Sequence, residues 1–270
     1  MSDLITTSTG APQGSVLSPL LFTVYTNDCR THLSNVKLLK FADDSAIQGL
    51  LGSDVSHDLA YQESIKNFVE WCDNHYLLLN VKKTKELIVD FRKNISPPDP
   101  IIIKNESVEI VSSYKYLGVT VDNKLNWNQH VSLLHSKASQ RLYFLRKLRS
   151  FHIDNTLISL FYKSIIESLL TFCIVCWGGN ARDQDIEMLD KVTKKAGKVI
   201  SNTFETTKTL YYTKCAKKLD AIMRDTSHPF VEQLSFSIRL GRILTMRCNR
   251  ERYRRSFLPT AVRLAQGNES

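Results

Sequence analysis

Two carboxylates stand side by side at Asp43 and Asp44, directly after Phe41-Ala42. Like charges this close repel unless a cation or a hydrogen-bond donor offsets them. Their hard oxygens suit Mg2+, which takes one or two carboxylates and completes its shell with substrate phosphates. An ordinary surface turn explains an isolated Asp-Asp pair as well, so the neighbours decide. Upstream, Gly10-Ala11-Pro12-Gln13-Gly14 combines backbone breakers with small side chains, a loop that a ligand can approach closely. Far downstream, Arg239, Arg242, Arg247, Arg250, Arg252, Arg254 and Arg255 face only Glu251. Guanidinium groups suit bidentate phosphate contacts, and the interleaved Phe236, Tyr253 and Phe257 are of the type that stacks on bases. A solvated basic face is the alternative reading of that strip.

Charge supports a polyanionic partner. The 270 residues carry a formal net charge of +9. Residues 1–139 hold 13 basic and 15 acidic side chains, whereas 140–270 hold 23 and 12. Such an asymmetry points to nucleic acid for the second half. With 43% hydrophobic and 23% charged residues the chain is neither disordered nor membrane-like in composition. Its longest apolar stretch, Leu169–Trp177, falls short of the ~20 residues a spanning helix needs, so no membrane partner is expected. The start lacks the basic and apolar regions of a signal peptide, which predicts an intracellular protein of the nucleus or cytoplasm. Six cysteines with one Cys-x-x-Cys, Cys173 and Cys176, make neither a disulfide framework nor a complete zinc site. Both are expected in the core.

The elements that must position these residues follow from pattern. Ser15 is placed to cap a helix whose apolar stripe is Leu20, Leu21, Val24 and Tyr25. Val36–Ile47 reads as two strands folded at the acidic pair. A helix is expected from Asp54 to His75, a strand over Leu87–Phe91, and a hairpin from Ile101 to Val111. Tyr114–Val121 reads as a strand with an internal glycine, Gly118. After Trp127 the pattern is helical: Gln129–Ser150, Asp154–Trp177 with Asp154 or Asn155 as cap, and a basic helix Ala181–Ile200. The expected class is α+β, with an antiparallel sheet and helices over 1–126, a helical region over 127–200 and a basic region over 201–270.

The order of these segments carries a resemblance. Gly10–Pro19 resembles motif B of reverse transcriptases, and Phe41-Ala42-Asp43-Asp44 resembles motif C in the form found in non-LTR, LINE-type retrotransposons. Trp71–Asn74 through Leu79–Phe91 is similar to motif D, and Tyr114–Val119 to motif E, the primer grip. Residues 128–265 resemble the region after the palm in elements of the CR1, L2 and Rex kind. The resemblance implies a truncated polymerase palm, a helical thumb and a basic C-terminal region. It implies RNA-directed DNA synthesis with an RNA template, a DNA primer or target, deoxynucleoside triphosphates and Mg2+. Asp43 and Asp44 would be the metal ligands, and the Gly10–Gly14 loop with Gln13 the nucleotide site. Lys83 would protonate the leaving pyrophosphate, and Tyr116, Leu117 and Gly118 would hold the primer. A solvated lysine beside Lys82 and Lys85 explains Lys83 equally, and a strand bulge explains Gly118 as well. No segment before Gly10 fits motif A, which carries the family's first metal-binding aspartate, so the chain alone is expected to be inactive. A non-catalytic nucleic-acid-binding remnant is the second reading.

A third reading comes from His152-x-Asp154 with His228, the pattern of a non-haem iron triad. Arg239 stands where a 2-oxoglutarate salt bridge would be sought. Residues 141–177 are also similar to a helical region grouped with the AlkB-homologue tRNA-modification family.

Overall fold

The computed structural model describes residues 14–31, 33, 35–50, 55–92, 99–234, 236–237, 242–244 and 247–267. The chain forms two compact units, one of residues 1–86 and 95–110, the other of 87–94 and 111–270.

The first unit begins with helix α1, Ser18–Tyr25. Ser15 accepts the Ser18 N–H at 3.1 Å, but the residue at the cap position is Leu17, which makes no side-chain cap bond. None of the α1 side chains is buried, and its expected core stripe, Leu20, Leu21 and Val24, lies open. An apolar stripe becomes core only where another element covers it. Strands β1, Val36–Phe41, and β2, Asp44–Gly49, form an antiparallel hairpin in the register Phe41↔Asp44. Helix α2 spans Val55–Asn74.

Strand β3, Lys85–Glu86, is followed by β4, Ile102–Ile103, and β5, Glu106–Ser107, which pair across Lys104-Asn105. Both turn residues have positive φ, 51° and 63°, as a two-residue hairpin turn twisted to match its strands requires. Strand β6, Glu109–Ile110, then pairs parallel to β3. That corrects the expected all-antiparallel sheet, and it corrects Leu87–Phe91, which is no strand because pairing stops at Glu86. The core is small: Ile65, Ile103 and Val108, with Ile47, Tyr61 and Val69 packed against it.

The second unit opens with β7, Ser113–Tyr116, and β8, Val119–Asp122. Tyr114–Val121 is therefore a hairpin rather than one strand, turning at Leu117-Gly118 with φ of 45° and 88°. Only glycine reaches the second value without strain. Helix α3, Asn128–Ser150, buries Val131, Leu134, Ala138, Leu142 and Leu145, a continuous three-and-four stripe.

The single helix expected over Asp154–Trp177 is broken into pieces. Asp154 accepts the Thr156 N–H at 2.7 Å and starts α4, Asn155–Phe161. A π-helical turn, Tyr162–Glu167, leads into α5, Ser168–Leu170, and after left-handed Cys173 into α6, Ile174–Trp177. The inward residues are Ile158, Tyr162, Ile166, Leu170, Ile174 and Trp177, almost all four apart. A regular helix drifts off such a spacing, since it turns every 3.6 residues; a wider turn keeps the row on one face. By length and composition Asn155–Trp177 is long and apolar enough to cross a membrane, unlike the shorter stretch read from the sequence. Six of its side chains sit in the core of this unit instead.

Helix α7, Asp183–Ile200, turns Leu189, Val192, Ala196 and Ile200 inward and leaves Lys191, Lys194, Lys195 and Lys198 exposed. Helix α8, Thr207–Arg224, is capped by Thr206, whose hydroxyl accepts the Thr209 N–H. After a short 3-10 turn come β9, Phe236–Ser237, and β10, Arg242–Ile243, then α9, Glu251–Arg254, and α10, Phe257–Ala265. Ile243, Leu258, Ala261 and Val262 join the same core as α3 and α7. At roughly 1.5–3 kcal/mol for each large apolar side chain fully buried, this shared core holds residues 201–265 to 127–200.

Candidate functional site

The acidic pair sits at a hairpin turn. Ala42 and Asp43 are the two turn residues of the β1–β2 hairpin, Ala42 at φ 52°, and Asp44 is the first residue of β2. Both carboxylates are exposed. Lys40, one step before the turn strand end, donates its Nζ to the carbonyls of Thr26 and Cys29, which ties α1's exit to the hairpin instead of neutralising the pair. Two carboxylates are a partial donor set for Mg2+, sufficient in kind and short in number. Among the described residues no three His, Cys, Asp or Glu side chains gather to complete it.

Gly14 is exposed at φ 80°, the left-handed conformation expected of a breaker-rich loop. Gly10, Ala11, Pro12 and Gln13 lie outside the described residues. Lys83 is exposed in a turn, its backbone N–H bonded to the Asn80 carbonyl and side chain. Three residues on, Glu86 is buried with Oε2 left without a hydrogen-bond partner. Burial pushes its carboxyl above the ordinary range, and it adjoins Tyr61, whose hydroxyl burial pushes up to about 12. A lone Glu in a mixed run gave no sign of this in the sequence.

In the second unit Tyr116 ends β7, and Leu117 and Gly118 form the β7–β8 turn. A Cβ on Gly118 would meet Phe172 Cε1 at 3.0 Å, so the glycine serves a close approach as well as a turn. The arginines divide. Arg247 and Arg250 are exposed. Arg252 donates to the carbonyls of Lys124 and Leu125, both at 2.9 Å, and stacks 4.8 Å from the Phe91 ring centroid. Arg254 pairs with Glu251, and Arg255 reaches the Ala181 carbonyl at 3.5 Å. Arg239 and the side chains of Arg242 and Phe236 lie outside the described residues.

One expectation and one alternative reading are overturned. Cys173 and Cys176 are exposed, because the helix breaks at Cys173 and turns them off the apolar face. The iron triad is not assembled: Asp154 is spent on its helix cap and held below the usual carboxylate range by Thr156, while His228 Nδ1 accepts the Phe230 N–H. No cluster unites them with His152.

Residues 3–121 match the family model described as reverse transcriptase (RNA-dependent DNA polymerase). Over those residues the chain is similar to a reverse transcriptase. A probable RNA-directed DNA polymerase from transposon X-element of Drosophila melanogaster is 27% identical over 202 residues, covering 71% of the chain and 22% of that relative. The probable polymerase from transposon BS is 34% identical, over 52% of the chain and 16% of the relative. The polymerase from mobile element jockey is 29% identical, over 46% and 14%. The chain therefore spans between about a seventh and just over a fifth of these relatives' lengths.

Within the reverse transcriptase match fall the acidic hairpin, Lys83 and the β7–β8 turn. Residues 127–168 match the N-terminal region of alkylated DNA repair protein alkB homolog 8. In this chain they are helical, forming α3, α4 and the π turn. No solved structure matches.

Proposed function

We propose that this chain is the palm-and-thumb portion of an enzyme that copies an RNA template into DNA from a DNA primer or nicked target. The observation that carries the reading is the exposed Asp43 at a two-residue hairpin turn, inside the reverse transcriptase match. Asp43 would hold Mg2+ with Asp44 as the weaker partner, other ligands coming from elsewhere in a complete polymerase. Bound Mg2+ supplies charge neutralisation at a triphosphate. The chain's own residues then position: Gly14 and its loop approach the nucleotide, Lys83 stands as a proton donor toward pyrophosphate, and the Tyr116–Gly118 turn meets the primer. Arg247 and Arg250 contact phosphates. The net basic half favours a second reading, a non-catalytic grip on nucleic acid.

Primer extension on poly(A)–oligo(dT) tests the first reading. The purified 270-residue chain is expected to stay at background. Joined to the preceding polymerase segment of the jockey relative, it is expected to extend, and Asp43→Asn to return extension to background. Extension by that chimera that survives Asp43→Asn overturns the assignment of Asp43. Salt-dependent binding of oligonucleotides without any extension by the chimera favours the second reading.

A further inference from the structure

The helical unit carries a cleft of about 970 Å3 between the start of α7, α8 and the α9–α10 segment. Four cations line it, Lys208, Arg254, Arg255 and Arg263, against two acids, Asp183 and Glu251. Glu251, of these two acids, is already engaged, pairing with Arg254. Asp183 opens α7, where the helix dipole favours a negative charge. With Arg254 paired, Lys208, Arg255 and Arg263 stand against Asp183 alone, a surplus of two positive charges.

The cleft is also built. Arg263 is fixed by bonds to the Arg254 carbonyl at 2.9 Å and to Thr260 Oγ1 at 3.2 Å, which use two of a guanidinium's five N–H donors. Buried Tyr211 donates to the Arg255 carbonyl at 3.3 Å, holding the backbone that bears Arg255. A Cβ on Gly179 would stand 2.0 Å from that same carbonyl, so the segment seats only on glycine. Half-buried Tyr212 adds an aromatic face, with Lys208 Nζ 5.9 Å from its ring centroid.

We propose that this cleft binds a single-stranded segment of nucleic acid, with phosphates on Lys208, Arg255 and Arg263 and a base on Tyr212. Cationic groups beside an aromatic platform are the chemistry of single-strand binding. The volume matches a ligand pocket, typically ~300–1,000 Å3, rather than a surface for an intact duplex. An acidic peptide satisfies the guanidinium groups, but only a nucleic acid carries a ring at every charged unit to stack on Tyr212. The inference rests on the nucleic-acid reading above, and it assigns that contact to residues outside the arginine strip.

Fluorescence anisotropy on the full chain tests it, with labelled 12-nucleotide oligo(U) and oligo(dT) and a 12-base-pair duplex as probes. Lys208→Gln/Arg263→Gln is expected to weaken both single strands about tenfold at low salt. It should also reduce the salt slope by about 1.4, at ~0.7 per phosphate lost on a single strand, and leave the duplex within twofold. Lys208→Glu, an exposed position, gives the same sign if the double variant does not fold. Oligo(U) bound more tightly than oligo(dT) assigns the strand as RNA, and equal binding assigns a contact through phosphate and ring alone. If the cleft variants bind like the parent while Arg247→Gln/Arg250→Gln weakens every probe, the cleft is not the site and the nucleic-acid reading stands. If no probe binds the parent chain, both readings fall. Displacement of oligo(U) by poly-glutamate at equal charge concentration, undiminished in Tyr212→Leu, makes the cleft an acidic-peptide site and overturns the proposal.

Discussion

The backbone N–H of Thr120 donates to Nδ1 of His130 at 3.3 Å, tying the β7–β8 hairpin to helix α3. Acceptance at Nδ1 places the proton on Nε2, which has no partner, between the rings of Trp127 and Trp177. Burial, with Lys137 adding to it, pushes the imidazole below its ordinary range. The folded chain thus binds fewer protons than the unfolded one. Its stability from this group is complete above about pH 6.5 and is lost as pH falls through the depressed folded value. A urea midpoint that drops between pH 7.5 and pH 5, and drops less in His130→Asn, is the expected outcome.

Glu86 has the opposite sign. Its folded carboxyl is raised by burial, with the Ile101 backbone opposing, so the folded chain binds more protons. That contribution is present below the unfolded value of about 4.3 and is lost as pH rises through the raised folded value. Glu86→Gln keeps a neutral group at every pH. It should raise the urea midpoint at pH 7 and leave it nearly unchanged at pH 4.

Gly118→Ala combines a strained φ of 88° with a contact at 3.0 Å to Phe172. The backbone cost alone is about 1 kcal/mol, or roughly 2–4 °C of melting temperature for a unit of this size. Phe172 is partly exposed, so Phe172→Leu in the same chain should relieve the contact. Recovery is expected to be partial, because the leucine does nothing for the φ angle.

Arg252 joins three segments through two carbonyls and one ring. Arg252→Ala is expected to cost about 1 kcal/mol and Arg252→Lys nearly as much, since an ammonium lacks the planar fork. Exposed Arg247→Ala should stay within roughly 0.5 kcal/mol. Thermal melts of the three variants separate a structural arginine from its solvent-facing neighbours.

The sequence by itself determined the local devices. Asp at a turn between apolar strands, Asp154 before a helical run and the periodic stripe of α3 are each settled within a few residues, and the structure carries all three. Motif order alone also revealed the polymerase resemblance, since it needs no contacts. What tertiary structure decided was pairing and cover. Gly118 read as a strand residue because period-two alternation is the same on both sides of a two-residue turn; only the register Tyr116↔Val119 makes it a corner. The parallel β3–β6 ladder joins residues 24 apart, beyond any local pattern. Cys173 and Cys176 share an apolar helix face on paper, and one left-handed residue moves them into solvent. The arginines look alike in sequence, yet Arg252 is folded onto backbone carbonyls while Arg247 faces water, because hydrogen-bond partners 127 and 128 positions away exist only once the chain has folded.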